Sequence, residues 1–413
     1  MSEHFRIARL GAQGDGIAET EKGPLYIPFT LPEERVLADP NGSRAELLEI
    51  EEPSVLRVPP PCRHFGECGG CAIQHMEGNA YREWKRNIVA EALKSRGIVA
   101  SVGELVSCAP SSRRRVVLSA RRVEGGIVLG FVRALSHTII SIEECWIARP
   151  EIVAALPALR SLARMVANTD RTFRMIVTST GPGLDIALEG SGRLTEQMRK
   201  NASDFVLRAG FARLSVDGEI IIEPKKPVAV FGGVAVSPPP GGFLQAVSEA
   251  EEAMASLVTA HLAKAKRIAD LFAGSGAFAL RLAGNSEVHA VEGDAASLAT
   301  LDRGFRFASG LKRVTTERRD LFVRPILAKD LSAYGGIVFD PPRAGAEAQS
   351  REIARSDVPL VAAVSCNPGT LARDLAILIG GGYAIRSVVP IDQFLWSAHV
   401  EAVALLEKPR RRR

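Results

Sequence analysis

Three side chains far apart in this chain could together support nucleophilic catalysis: Asp340 in Asp340-Pro341-Pro342-Arg343, Cys366 in Ser365-Cys366-Asn367-Pro368-Gly369-Thr370, and Glu401. A thiolate attacks electrophilic carbon, and a carboxylate within reach can take a proton in a later step. Most free cysteines are buried and inert. Cys366 instead stands where an apolar run meets Asn-Pro-Gly, the place for a strand to end in a turn. Glu401 alone reads equally well as a surface carboxylate, so its role depends on whether the fold brings it to the thiol.

A second motif supplies a cofactor loop. Asp270-Leu271-Phe272-Ala273-Gly274-Ser275-Gly276-Ala277-Phe278 sits where a strand turns into a helix, and its glycines let backbone pass close to a ligand. The next strand ends in Val291-Glu292, a carboxylate placed for a ribose hydroxyl. Gly274-x-Gly276-x-x-Ala279 also matches the dinucleotide fingerprint, so NAD competes with S-adenosylmethionine here. Two features favour S-adenosylmethionine. Asp270 precedes the glycines where a dinucleotide loop has an apolar lead-in, and Asp320 and Asp340 end the third and fourth strands. Such a row of carboxylates suits a sulfonium cation and repels a pyrophosphate.

The Asp-Pro-Pro element has a counterpart in amino-methylating enzymes, where an aromatic follows and stacks on the base; Arg343 takes that place here. An exocyclic amine has its own lone pair and needs no thiol. Carbon 5 of a pyrimidine is a poor nucleophile and needs one. A thiolate adding to carbon 6 makes carbon 5 an enolate carbon able to attack a methyl group, and a base must then remove the carbon 5 proton. Cys366 and Glu401 are the pair that this reaction requires.

Cys62-x5-Cys68-x2-Cys71 gathers three more thiols in one loop, with Gly66, Gly69 and Gly70 allowing tight wrapping. Without a secretory context such a cluster reads as metal-binding rather than bridged. An iron–sulfur cluster needs a fourth ligand from Cys108 or Cys145, and zinc with His64 or His75 is the rival.

These groups need a frame that brings distant strand ends to one edge. From about 241, strand-like runs at 267–272, 287–292, 313–317, 335–340, 359–365, 383–389 and 398–406 alternate with helical periodicity at 277–285, 294–309 and 368–380. This predicts a doubly wound α/β sheet over 241–413, with ligands at the carboxyl ends of its strands. The last two runs lack a helix between them, so the final strand is expected antiparallel, bringing Glu401 up beside Cys366. Residues 1–57 alternate short apolar runs with turns and read as a small β-barrel, with Pro59-Pro60-Pro61 as the linker. Residues 58–240 hold the cysteine loop, a helix at about 81–96 able to pack on the catalytic part, and a mixed, mostly β middle domain.

The 413 residues are 46% hydrophobic and 24% charged, an ordinary multi-domain composition. No part of the amino terminus reads as a signal peptide and no apolar run nears the roughly 20 residues of a membrane span, so the expected location is the cytoplasm. A net charge of +5 is only mildly basic, but arginines cluster at Arg113 to Arg115, at Arg121 and Arg122, and at Arg410 to Arg413, a candidate RNA-contacting set. An NAD-linked iron–sulfur oxidoreductase and a non-catalytic RNA-binding protein are the competing classes.

The motifs that carry a family resemblance are Arg9-Leu10-Gly11 through Gly16-Ile17-Ala18, the cysteine loop, Phe243-Leu244-Gln245, Asp270 to Phe278, Asp340 to Gly345, Ser365 to Pro368 and His399-Val400-Glu401. Over essentially the whole chain they resemble the bacterial RNA (uracil-5-)-methyltransferases, specifically the iron–sulfur 23S ribosomal RNA enzymes with an N-terminal TRAM barrel. The resemblance implies a class I S-adenosylmethionine-dependent methyltransferase fold behind an OB-like barrel. It implies Cys366 as nucleophile and Glu401 as base, with Gln245, Phe272, Glu292, Asp320 and Asp340 on the cofactor. It further implies a [4Fe-4S] cluster on Cys62, Cys68, Cys71 and Cys145, and a monomer acting on 23S rRNA, naked or partly assembled. The transfer-RNA members typically lack the barrel and the cluster cysteines. The chain departs from the family pattern at Ala277, where asparagine is frequent, at Ala246-Val247 in place of Val-Asn, and at Glu33 in place of glycine.

Overall fold

The computed structural model describes residues 2–409, so the expected basic tail Arg410 to Arg413 lies outside the described residues. The carboxyl-terminal part builds an eight-stranded sheet. Its main strands are β1 (Arg267–Leu271), β2 (Glu287–Glu292), β3 (Val314–Arg318), β4 (Gly336–Phe339), β5 (Leu360–Ser365), β6 (Ala384–Asp392) and β7 (Glu401–Glu407). They lie in the order β3-β2-β1-β4-β5-β7-β6, and the short strand Val106–Ser107 extends the β6 edge. Strands β1 to β5 run parallel, and β7 runs antiparallel between β5 and β6. Helices cover both faces, so the central strands are buried throughout: Ile337, Val338 and Phe339 in β4, Val361 to Val364 in β5.

The antiparallel last strand begins at Glu401 rather than 398, because Phe394 to His399 forms a tight turn with Trp396 at φ 57°. The helix expected at 277–285 shrinks to Ala279–Leu282, and helices Ser248–Leu262 and Glu347–Arg355 are additional to the expectation.

Helix Gly78–Lys94 starts ahead of the expected 81 because the Glu77 carboxylate caps it, accepting from the N–H groups of Asn79 and Ala80. Its buried face includes Tyr81, Lys85, Val89 and Leu93; Val89 and Leu93 join the core of the catalytic sheet and helix Pro368–Gly380. Cys108 lies in the other core of that sheet. Residues 78–108 of the expected 58–240 unit therefore pack with the catalytic layer.

The middle region holds a seven-stranded sheet, antiparallel except where Gly183–Glu189 lies beside Arg213–Val216. A parallel pair needs a crossover, which helix Glu196–Ala209 provides. Helix Leu156–Val166 shares its core through Leu159, Leu162 and Val166, which makes this region more helical than a mostly β reading implies. At the amino end, six short strands form one sheet around Ile7, Ala18, Leu25, Ile27, Val36 and Ala38. Among the described residues no helix is long and apolar enough to cross a membrane.

Candidate active site

Strand β4 ends at Phe339 and β5 at Ser365, so Asp340 and Cys366 emerge at the same edge of the sheet. Ser365 is the register partner of Ala402, which brings Glu401, the first residue of β7, next to Cys366. Sheet topology, and not sequence distance, assembles the cluster. Asn367 caps the following helix, its Oδ1 accepting from the Gly369 N–H (3.0 Å), while its Nδ2 donates to the Arg343 carbonyl (3.1 Å). The Asn-Pro-Gly run is thus a capped helix start that ties the Asp-Pro-Pro-Arg loop to the cysteine turn. It leaves Cys366 half-buried in a cleft wall.

Burial pushes the Cys366 thiol up to about 11, the charges of Glu401 and Asp340 add to the rise, and Arg343 opposes it. Burial raises Glu401 to about 8, with Asp340 adding and the Gln393 amide opposing. Burial likewise raises Asp340 to about 7, against its bond from Gln245. Gln245 Nε2 donates to Asp340 Oδ2 (2.9 Å), and Gln393 Nε2 donates to Gln245 Oε1 (2.8 Å) and to Glu401 Oε2. Glu401 Oε1 is buried without a hydrogen-bond partner. Such an oxygen is suited to accept a proton from a substrate.

On the cofactor side, β1 runs into Phe272 at φ 62° and Gly274 at φ 53°. A Cβ at Gly274 would meet nothing within 4 Å, so the loop has open space on that side. The Gly274 N–H donates to Glu292 Oε2 (2.9 Å) and the Asp294 N–H to Glu292 Oε1 (2.8 Å), fixing this carboxylate against the loop. The Phe272 ring lies 5.4 Å from that of Phe322, which is 47% exposed, and the Phe322 N–H donates to Asp320 Oδ1 (2.9 Å). Asp270 is fully buried beneath the loop, and burial drives its carboxyl well above the usual range.

A cleft of about 800 Å³ opens in front of Cys366, walled by Arg343 and His399, by Trp84 and Asn87 of helix Gly78–Lys94, and by Arg9 to Gln13 of the amino-terminal sheet. Trp84 Nε1 donates to the Gly11 carbonyl (3.2 Å), fastening that sheet to the helix. Fully buried Lys85 donates to Asp392 Oδ1 (2.8 Å), to the Phe394 carbonyl (3.1 Å) and to the His399 carbonyl, gripping both ends of the turn before β7.

Cys62, Cys68, Cys71 and Cys145 line a second, small pocket of about 20 Å³, together with His64. Cys108 and His75 lie outside its lining. Burial pushes Cys71 up to about 12, with the three other thiols adding. Gly69 docks the loop on the middle sheet, its N–H donating to the Val132 carbonyl (3.1 Å), and a Cβ there would lie 2.5 Å from that oxygen. Among the described residues no three His, Cys, Asp or Glu side chains are grouped to hold a single metal ion.

The arginine expectation needs correction. Arg114 is buried, donating to Glu251 Oε2 (2.5 Å) and to the Gln245 carbonyl (2.9 Å). Arg115 donates to the Gly241 carbonyl (3.2 Å), and Arg113 lies 5.7 Å from the Phe394 ring centre. These three staple the middle sheet to the catalytic layer, whereas Arg121 and Arg122 are exposed. Gln393, Lys85 and Trp84 escaped the reading of the sequence. Only the expectation that β7 starts at the active edge pointed toward the segment holding Gln393.

Residues 308–409 match the family model of tRNA (uracil-5-)-methyltransferases. An RNA methyltransferase of Mesorhizobium japonicum is 66% identical over 100% of both chains. The 23S rRNA (uracil(1939)-C(5))-methyltransferase RlmD of Halomonas elongata is 32% identical, over 98% of this chain and 89% of its own length. The crystal structure of the Pyrococcus abyssi tRNA (uracil-54, C5)-methyltransferase with S-adenosyl-L-homocysteine has the same fold: TM-score 0.75 at 21% identity, over 98% of this chain and 99% of that one. The Halomonas elongata relative, matched over nearly its full length, together with this carboxyl-terminal signature, puts the chain in the family of S-adenosylmethionine-dependent RNA (uracil-C5-)-methyltransferases.

Proposed function

We propose that this enzyme methylates carbon 5 of a uridine in 23S ribosomal RNA through a covalent adduct between Cys366 and carbon 6, acting as a cytoplasmic monomer. The observation that carries the reading is the meeting, at one sheet edge, of a half-buried thiol and a buried carboxylate with an unpartnered oxygen. Cys366 yields its proton to solvent and adds to carbon 6, and the ring electrons move to carbon 5, which takes the methyl group. Glu401 then accepts the carbon 5 proton on Oε1, the electrons of that bond restore the 5,6 double bond, and the thiolate leaves. Arg343 eases ionisation of a thiol otherwise opposed by two acids. The target base has to leave its stack to reach Cys366, and the cleft in front of the thiol supports an extruded base.

Gln245, Phe272, Glu292, Asp320 and Asp340 would hold S-adenosylmethionine; the open side of Gly274 and the part-exposed aromatic pair fit an adenosine, and the carboxylates fit a cation. When bound, it supplies an electrophilic methyl group and a positive charge. Cys62, Cys68, Cys71 and Cys145 would hold a [4Fe-4S] cluster. The chemistry of the donor set supports this reading, since four thiols line one pocket. Residues 1–57 would act as the TRAM, OB-like RNA-binding barrel, a reading supported by Arg9 to Gln13 in the cleft wall.

The ribosomal assignment is supported by the relative of Halomonas elongata. Its test is methyl incorporation into unmodified 23S rRNA and unmodified tRNA transcripts. Preference for 23S rRNA is expected, and equal or better incorporation into tRNA contradicts it.

A further inference from the structure

Gln393 ends the segment that leads from β6 into the turn and is 2% exposed. Its Oε1 accepts from the Ala246 N–H (3.0 Å), and its Nε2 donates both to Gln245 Oε1 (2.8 Å) and to Glu401 Oε2. A backbone N–H can only donate, so Ala246 decides which end of the Gln393 amide is oxygen. That choice propagates. Gln245 must present Oε1 to Gln393, which leaves its Nε2 for Asp340 Oδ2 (2.9 Å). One main-chain donor therefore sets the polarity of the whole network, and both carboxylates receive an N–H.

We propose that Gln393 is a positioning residue for methyl transfer: it orients the Glu401 carboxylate so that Oε1 stays free for the substrate proton, and it locks that carboxylate to the Gln245–Asp340 pair of the cofactor pocket. This rests on the reading of Glu401 as the base. The other ionisable groups around Glu401 are Asp340 after β4, Cys366 after β5, Arg343 beside Cys366, and His399 two residues ahead. Gln393 makes the one hydrogen bond to the Glu401 side chain among the described residues. A donor to a carboxylate favours its ionised form, the form that accepts a proton. Losing that donor raises the pH needed to ionise Glu401, so the acid limb of proton removal moves upward.

The test uses full-length enzyme, S-adenosylmethionine and an unmodified RNA transcript that the enzyme methylates, in single turnover across pH. Gln393→Met removes the donors at similar volume. The acid limb should move up by about one pH unit, with a rate loss of about tenfold below it and recovery above it. The covalent RNA–protein species should accumulate at neutral pH. Gln393→Asn, which keeps the amide on a shorter arm, should shift the limb less and in the same direction, and it decides the matter if Gln393→Met does not fold. A uniform loss of rate at every pH, or an unshifted limb, overturns the proposal. Glu401→Gln separates the two readings: if it turns over normally with the limb intact, Glu401 is not the base, whatever Gln393 does.

Discussion

At the catalytic edge the reactive groups come from the ends of three strands, β4, β5 and β7, whereas three of the four pocket cysteines come from the single loop Cys62 to Cys71. Strand register fixes the first set, and a hydrogen-bonded network through Gln245 and Gln393 holds it. The second set has no strand of its own. It is shaped by turns such as the Cys68 N–H to the His64 carbonyl (2.9 Å), and by a few docking contacts at Gly69, at Arg63, whose N–H donates to Glu144 Oε1 (2.8 Å), and at His64, whose Nε2 accepts from the Glu143 N–H (3.1 Å). The edge should therefore survive loss of any one reactive group with its shape intact. The pocket gathers part-buried thiols that burial keeps protonated when nothing is bound, so its order should depend on what fills it.

Three tests can break or sharpen this contrast. The largest effect is expected for Cys366→Ala, which should lower methyl transfer by on the order of 10⁴-fold or more while the thermal unfolding midpoint stays close to that of the parent. Activity within tenfold of the parent would remove the nucleophile from the edge. The second concerns the pocket. Cys145→Ser should lose iron and visible absorbance after anaerobic purification, and Cys108→Ser, whose thiol sits in the catalytic core, should keep both. Equal iron content in the two variants, or zinc in the parent, contradicts the cluster assignment.

The third separates support from chemistry. Lys85→Met strands buried Asp392 without its cation and should cost roughly 3–5 kcal/mol in urea unfolding. Lys85→Met combined with Asp392→Leu should recover a good part of that loss, because no charge is then left buried alone. A single-variant loss below about 1 kcal/mol would show that the ion pair does not hold the turn before β7.

Much of the catalytic edge was legible because its signals are local. Glycines at a strand–helix turn, Asp-Pro-Pro, and Cys-Asn-Pro each mark a strand end, and alternation of strands with helices orders those ends along one edge. The antiparallel β7 followed from a missing helix. The Gln393 network left no local signal, since its three partners join only after β6, β7 and the segment at Gln245 meet. The arginine run misled for the same reason. Clustered arginines look like a solvent-facing patch, but in strand Arg115–Val123 and its lead-in the alternation turns Arg114 inward to Glu251. Helix Gly78–Lys94 had a readable amphipathic pattern, and its attachment to the catalytic layer is set by Lys85 and Tyr81 reaching Asp392, a pairing that spans most of the chain.

In the proposed reaction Glu401 releases the adduct that Cys366 forms, and one experiment addresses both residues. Glu401→Gln is incubated with substrate RNA and methyl-labelled S-adenosylmethionine and run on a denaturing gel. The expected result is a methylated RNA–protein band that persists and disappears when Cys366→Ala is added to the same chain. Normal turnover by Glu401→Gln with no such band contradicts the assignment of the base, and methyl transfer that survives in the Cys366→Ala chain contradicts the adduct chemistry at this sheet edge.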